Sequence, residues 1–149
     1  MEVVAALGSG GANIPAAEAL SHVYGYAAGL DMTRRDLQSA AKAKGRPWTT
    51  GKNVENSAVI SAIQPATAAT NADKGAIELR VNGEVRQSAD MSTHIWTLPE
   101  IIADLSRFYV LQAGDLIMMG TPAGVGPVVA GDVLTGHVEK IGGFEVRFV

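Results

Sequence analysis

The chain opens on an unbroken apolar run, Val3 to Leu7, closed by Gly8-Ser9-Gly10-Gly11, the pattern of a buried strand that ends in a turn. Ile14-Pro15 predicts a helix start, since proline suits a first helical position. Ala16 to Tyr24 continue that helix with Ala19, Leu20 and Val23 on one apolar stripe, and Gly25 stops it. Tyr26 to Leu30 is apolar again and reads as a second strand that carries Asp31 at its end. Thr33 and Asp36 have the spacing of a capping box, and Arg34 to Lys44 contains neither proline nor glycine before Gly45, which predicts a second helix of about three turns.

Farther along, Ala76 to Val81 alternates, with Ile77, Leu79 and Val81 on one side and Glu78 and Arg80 on the other. Asn82-Gly83 then predicts a two-residue hairpin turn into Glu84 to Gln87. Thr97 and Glu100 bracket Pro99 as a second capping box, and Ile101, Ile102, Leu105 and Phe108 recur at helical spacing, so a third helix with a core-facing stripe is expected. Asp115 to Met119, Val133 to Glu139 and Phe144 to Val149 read as strands, separated by turns at Gly120 to Gly126, Gly131-Asp132 and Gly142-Gly143. The expected class is α+β, rich in β-structure, with short helices.

Composition refines this picture. The 17 glycines and 6 prolines are spread along all 149 residues, which implies many short elements joined by tight turns. No internal repeat is visible, and Gln64 to Gly75 reads as a surface loop too short to separate domains, so residues 1–149 are expected to form a single domain. Twelve basic against fifteen acidic side chains leave a net charge of −3, with no charge run longer than Arg34-Arg35, so no surface for nucleic acid or anionic lipid is implied. The absence of cysteine excludes a disulfide framework, a thiolate nucleophile, a zinc–thiolate site and an iron–sulfur cluster. Any metal must be held by oxygen or histidine. No apolar run approaches the roughly 18 residues of a membrane span and no signal-peptide pattern opens the chain, so a cytoplasmic protein without membrane contact is expected.

The residues with chemical potential are Glu2, Asp31, Asp36, Lys52, and Gln38 with Arg35 one helical turn away. Glu2 opens one strand and Asp31 closes another. If those strands are neighbours, the two carboxylates converge on a hard cation such as Mg²⁺, which prefers oxygen ligands. The alternative for each is a solvated turn residue or a helix cap. Lys52 and Gln38 on their own read equally well as surface residues, Arg35 as a partner of Asp31 or Asp36, and Asp36 as a cap. His22 on a helix, His94 in a strand and His137 near the C-terminus have no partner at catalytic spacing and are expected to be structural, and Trp48 and Trp96 are expected to pack.

Tyr26 through Gln38, with the wording Gly-Leu-Asp-Met-Thr-Arg-Arg-Asp-Leu-Gln, resembles the signature of the fumarylacetoacetate hydrolase superfamily. Gly45-Arg46-Pro47-Trp48-Thr49-Thr50-Gly51-Lys52, Leu79 to Gln87, and Gly114-Asp115 with Gly120-Thr121-Pro122-Ala123-Gly124-Val125-Gly126 resemble it in the same order. The Arg-Arg-Asp-Leu-Gln and Gly-Arg-Pro-Trp wording is similar to the fumarylpyruvate hydrolase and acylpyruvase branch.

The resemblance implies a mixed β-sheet roll or barrel with short outer helices, often dimeric. It also implies Mg²⁺ or Mn²⁺ bound by a Glu-x-Glu pair and a later Asp. Asp31 matches that Asp and Glu2 the second Glu, while the first Glu, a small N-terminal region and a water-activating lid would lie ahead of Met1. An N-terminally truncated copy with little activity is therefore expected. Lys52 matches a lysine that supplies charge to the departing enolate, Gln38 a substrate-fixing amide, and Thr121 beside Gly120 a substrate contact. The implied activity is carbon–carbon hydrolysis of an acylpyruvate-type 1,3-dioxo acid such as fumarylpyruvate, from the breakdown of aromatic compounds. Two rivals remain open: a decarboxylase or isomerase using the same metal site, and a remnant that only folds and dimerises. The loop after Gly120 is no phosphate-binding motif, since no Gly-Lys-Ser/Thr follows.

Overall fold

In a computed structural model, which describes residues 1–69 and 72–149, the first apolar run becomes β1 (Glu2–Leu7), buried along its whole length. Burial on both faces is why this strand shows no alternation. β1 pairs antiparallel with β2 (Val23–Asp31) in a register that sets Glu2 opposite Gly29 and Ala5 opposite Tyr26. On its other edge β1 pairs antiparallel with a short strand, Leu116–Met118. The chain divides into two compact units, residues 1–29 with 60–149, and residues 30–59.

The larger unit holds two sheets. In the first, β1 lies between β2 and Leu116–Met118, and Gln64–Pro65 adds to the far side of β2. In chain order the strands after β2 are β3 (Ala58–Ile60), β4 (Gln64–Pro65), β5 (Ala76–Val81), β6 (Glu84–Asp90), β7 (Leu116–Met118), β8 (Val133–Val138) and β9 (Gly142–Arg147). The second sheet has the order β6-β5-β8-β9, all antiparallel. Its buried side chains include Ile77, Leu79, Val81, Leu134 and Val138, as the alternation in β5 implies. Asn82 and Gly83 turn the β5–β6 hairpin at φ 53° and 84°, the positive pair that a two-residue turn matching strand twist requires.

Helix α3 (Leu98–Phe108) has the expected capping box, with the Glu100 carboxylate accepting from both the backbone nitrogen and the hydroxyl of Thr97. Its Leu98 and Ile102 pack with Ala5, Leu7, Ile14, Ala19, Leu111 and Ile117 in one core cluster. Phe108 does not join them and is 68% exposed, because it closes the last turn, where the stripe has rotated away from the sheet.

The smaller unit contains α1 (Arg35–Ala43) and a one-turn helix, α2 (Thr49–Lys52). The second predicted helix is thus observed, although the Thr33–Asp36 capping box is not: Arg34 is the N-cap and makes no side-chain cap. Asp36 lies in the first helical turn, where its charge suits the helix dipole.

Other expectations change as well. The helix expected over Ala16 to Tyr24 shrinks to a single 3₁₀ turn, Ala19–His22, and β2 begins already at Val23. Pairing with β1, Gly25 opposite Ala6 and Val23 opposite Leu7, outcompetes local helix propensity. Gly25 is a strand residue whose missing side chain admits the neighbouring strand, since a Cβ there would lie 2.2 Å from the Gln64 carbonyl oxygen. Gly142 and Gly143 belong to β9, and the turn before them is made at Lys140, with φ 64°. His94 caps a 3₁₀ turn, Met91–Thr93, instead of lying in a strand. Trp48 and Trp96 are 46% and 56% exposed, so neither is a packing residue of the core. The Gln64 to Gly75 loop begins with β4, and residues 70 and 71 of it lie outside the described residues. Among the described residues no helix is long and apolar enough to cross a membrane.

Candidate functional site

The candidate residues fall into one group in each unit. In the larger unit, Glu2 enters β1 with 7% of its surface exposed, and its Oε2 accepts a hydrogen bond of 2.6 Å from the Gly120 nitrogen. That nitrogen belongs to the glycine-rich loop that follows β7. Antiparallel pairing of β7 with the middle of β1 brings residue 120 back beside residue 2. A buried carboxylate with a backbone N–H on one oxygen keeps Oε1 available, and no other hydrogen bond to the Glu2 carboxylate is made among the described residues.

The next residue of that loop, Thr121, is held by groups the sequence does not single out. Its Oγ1 accepts from Gln87 Nε2 at 2.9 Å and from the Met1 nitrogen at 3.2 Å. Gln87 also donates from Nε2 to the Pro122 carbonyl at 2.8 Å and accepts from the Met1 nitrogen at Oε1, 2.9 Å. It is 3% exposed. Gly124 lets this loop lie against β6, because a Cβ at that position, φ +97°, would meet the Arg86 carbonyl oxygen at 2.0 Å.

In the smaller unit, Lys52 ends α2 and its Nζ donates to Asp31 Oδ2 at 2.5 Å and to Thr33 Oγ1 at 3.0 Å. The two ionic side chains are each about one-third exposed, at 30% and 31%. Gly51 makes this placement possible: a Cβ there would approach the Gln38 nitrogen to 2.9 Å, so only glycine lets α2 close onto α1 and present Lys52 to Asp31. Arg34 secures the same contact by donating its backbone nitrogen to the Gly51 carbonyl at 3.0 Å. Gln38 accepts from Arg35 Nη1 at 2.9 Å, so Arg35 pairs with the glutamine and not with Asp31 or Asp36.

The structure therefore joins Glu2 with Gly120, Asp31 with Lys52, and Gln38 with Arg35. Gln87 and Thr33 were not picked out as site residues. Gln87 stands inside the quoted Leu79 to Gln87 motif, and its signal was an amide at a core-facing position. That position became core-facing only through a bulge between Leu79 and Arg80, which leaves Arg86 without a partner on β5.

No histidine joins either group. His22 Nδ1 bonds to Ser9 Oγ, His94 Nδ1 donates to the Met91 carbonyl at 2.7 Å, and His137 is an exposed residue of β8 opposite Glu78. A cavity of about 730 Å³ in the larger unit is lined by Tyr26, Met91, His94, Trp96 and Met119 among others. Burial, and then the negative charge of Asp73, push the Tyr26 phenol above its ordinary value. Tyr26 pairs with Ala5 whereas Glu2 pairs with Gly29, an odd offset that puts the two on opposite faces of the sheet. The cavity is separate from Glu2 and Thr121.

For a metal, the donors are of the right kind. Carboxylate oxygens suit hard divalent cations, and Glu2 Oε1 and Asp31 Oδ1 carry no hydrogen bond among the described residues. No group of three or more His, Cys, Asp or Glu side chains that could hold a metal gathers among the described residues.

Residues 1–149 match the family described as fumarylacetoacetate (FAA) hydrolase, C-terminal. The chain is 54% identical over 141 residues to fumarylpyruvate hydrolase from a Ralstonia species, covering 95% of this chain and 73% of that protein. Over 141 residues it is 40% identical to the mitochondrial oxaloacetate tautomerase FAHD1 of Mus musculus, 64% of which it covers. A crystal structure of fumarylpyruvate hydrolase from Pseudomonas aeruginosa in complex with Mn²⁺ and pyruvate superposes with a TM-score of 0.96 at 47% identity. That alignment covers 99% of this chain and 64% of the solved one, so the chain spans 64% to 73% of these relatives.

Proposed function

Because the chain belongs to the fumarylacetoacetate hydrolase family, we propose that it serves the metal-assisted hydrolysis of an acylpyruvate-type 1,3-dioxo acid, of which fumarylpyruvate is the type. The observation that carries this reading is the pairing of Lys52 with Asp31, which sets a compact cation on a carboxylate of the proposed metal site. The proposed ligands are Glu2 and Asp31. Glu2 opens β1 opposite Gly29, and Asp31 is paired with Lys52. When bound, Mg²⁺ or Mn²⁺ would polarise the oxo acid and stabilise negative charge on the leaving enolate.

The chain's own groups have these parts in the proposal. Lys52 supplies positive charge beside Asp31, where an anion develops. Thr121 donates its hydroxyl hydrogen to a substrate oxygen, and the glycines around it let the backbone come close to a carboxylate. Gln38, held by Arg35, orients the substrate. Water adds at the carbonyl next to the bond that breaks, and fumarylpyruvate plus water gives fumarate and pyruvate.

A tautomerase reading is the second one, favoured by the 40% identity to oxaloacetate tautomerase. Both are tested by incubating the chain with fumarylpyruvate and with oxaloacetate in the presence of Mg²⁺ or Mn²⁺ and following each enol absorbance together with released pyruvate. Pyruvate and fumarate formed in equal amounts support the hydrolase. Interconversion of oxaloacetate tautomers without cleavage of fumarylpyruvate overturns it. A homodimer is part of the same proposal, and light scattering tests it.

A further inference from the structure

We infer that Asn82 is a site of self-modification: its deamidation is held back in the folded chain by a clamp from Asp132 and Val133, and its acid product sets two carboxylates against each other. Asn82 is the one asparagine of the sequence that a glycine follows, and it is exposed to water. Glycine puts no side chain in the way of its own nitrogen. After losing its proton to hydroxide, the Gly83 nitrogen attacks Asn82 Cγ. A C–N bond forms, the bond from Cγ to Nδ2 breaks, and ammonia leaves. Water then opens the cyclic imide at either carbonyl, which leaves aspartate or isoaspartate in the chain. The reaction needs no partner besides water.

In the fold, both ends of the Asn82 carboxamide are occupied. Nδ2 donates to Asp132 Oδ1 at 2.8 Å, and Oδ1 accepts from the Val133 nitrogen at 2.9 Å. The Asn82 backbone nitrogen donates to the Val133 carbonyl at 2.8 Å, which ties the turn to the start of β8 a third time. Asp132 is itself fixed, since its Oδ2 accepts from the Val129 nitrogen at 2.9 Å. A flat amide can give a hydrogen to one neighbour while it accepts from the other. Attack at Cγ makes that carbon tetrahedral and removes the fit to both. The bond to an ionised acceptor is also the strong kind. Deamidation therefore waits for the hairpin to open, and its rate follows the open population.

The product reverses the sign of the contact. A carboxylate in place of the amide has no hydrogen to give, and it faces the Asp132 carboxylate at hydrogen-bond distance, where like charges repel. In the isoaspartate form the backbone runs through the former side chain and is longer, which spoils the pairing of Val81 with Glu84 beside the turn. β6 runs from this turn to Gln87, whose amide holds Thr121 and Pro122. The hairpin and the loop beside Glu2 thus loosen together.

The test follows the acid forms of the peptide that carries Asn82, by mass spectrometry, with the whole chain kept in mildly alkaline buffer and in the same buffer with urea. Wild type, Asp132→Asn and Asp132→Ala are compared, and thermal melting records which are folded. Loss of a hydrogen bond to a charged group supports an expected acceleration of about tenfold for Asp132→Ala, with Asp132→Asn in between. In urea all three are expected to react alike and faster than folded wild type, because the clamp is gone there. Where Asp132→Ala does not melt cooperatively, Asp132→Asn carries the comparison. Asn82→Asp reproduces the product and is expected to unfold at lower urea than wild type. Adding Asp132→Asn to it sets an amide opposite an acid again and is expected to recover most of that loss. Folded wild type that deamidates as fast as the chain in urea, equal rates in folded wild type and the folded Asp132 variants, or an Asn82→Asp chain as stable as wild type overturns the inference.

Discussion

The two residue groups are built in opposite ways. Around Glu2 the contacts join parts of the chain far apart: 118 residues between Glu2 and Gly120, 86 between Met1 and Gln87, and 34 between Gln87 and Thr121. Around Asp31 they are short-range, with 21 residues to Lys52 and 19 from Lys52 to Thr33. Glu2 and Gln87 are buried, whereas Asp31 and Lys52 are about one-third exposed. The first group therefore depends on both sheets of the larger unit, and the second on one close helix approach. The buried group thus rests on long-range contacts, while the Asp31–Lys52 ion pair is left partly open to water.

Substitution of one glycine in each unit probes this comparison most directly. Gly124→Ala forces an L-residue to φ +97° and drives a Cβ into the Arg86 carbonyl, so it is expected to cost about 3 kcal/mol or more and to lower the thermal midpoint by several degrees. Gly45 follows α1 at φ +60° with open space around it. Gly45→Ala should therefore cost only about 1 kcal/mol, the strain of the left-handed conformation alone. Equal losses in urea titrations of the two variants would remove the asymmetry.

Under the proposed hydrolysis, Lys52→Met should lower turnover of fumarylpyruvate by about a hundredfold, since it would remove charge from beside the developing anion. Stability should change by less than about 1 kcal/mol, as for other half-exposed ion pairs. The contact with Asp31 adds a sharper expectation. Without the competing ammonium, Mn²⁺ should bind a few-fold more tightly, read by titration of the free metal. Weaker Mn²⁺ binding would show that Lys52 holds Asp31 in its ligand geometry.

The smallest effect concerns acid. Hydrogen bonds from Thr97 hold the Glu100 carboxyl below its ordinary value, and hydrogen bonds hold Asp90 and Asp132 below theirs. For depressed carboxyls the unfolded chain takes up protons first. Their contribution is complete above the ordinary carboxylate range, near pH 4, and is lost as pH falls through the lowered folded values. These three belong to the larger unit. Its melting temperature should begin to fall below about pH 4.5, and Glu100→Gln should flatten part of that fall without moving the midpoint at pH 7 by more than a few degrees.

How much of this was legible beforehand follows the same division. Elements governed by neighbouring residues were readable: the Asn82-Gly83 hairpin, the Thr97–Glu100 cap of α3, the strand Val3 to Leu7 and the helix that became α1. Helical spacing set Arg35 one turn from Gln38, but the expected partners were Asp31 or Asp36 and the structure gives the glutamine instead. The helix expected over Ala16 to Tyr24 was not observed, because partners on β1, far away in sequence, recruited Val23 and Gly25 into a strand. Phe108, Trp48 and Trp96 are apolar by type yet exposed, since burial depends on what packs against a side chain and not on the side chain itself.

What the sequence determined by itself was therefore the inventory: a β-rich chain, the turns that glycine permits, and the residue types able to bind oxygen-loving cations and anionic oxygens. Tertiary structure alone decided which of them meet. The bulge in β6 turned Gln87 inward, the antiparallel return of β7 brought Gly120 to Glu2, and the bare Cα of Gly51 let Lys52 reach Asp31. Each of these is a matter of register or close approach. A one-residue shift in a strand moves a side chain to the other face, and no local pattern of residues specifies that shift before the partner strand is in place.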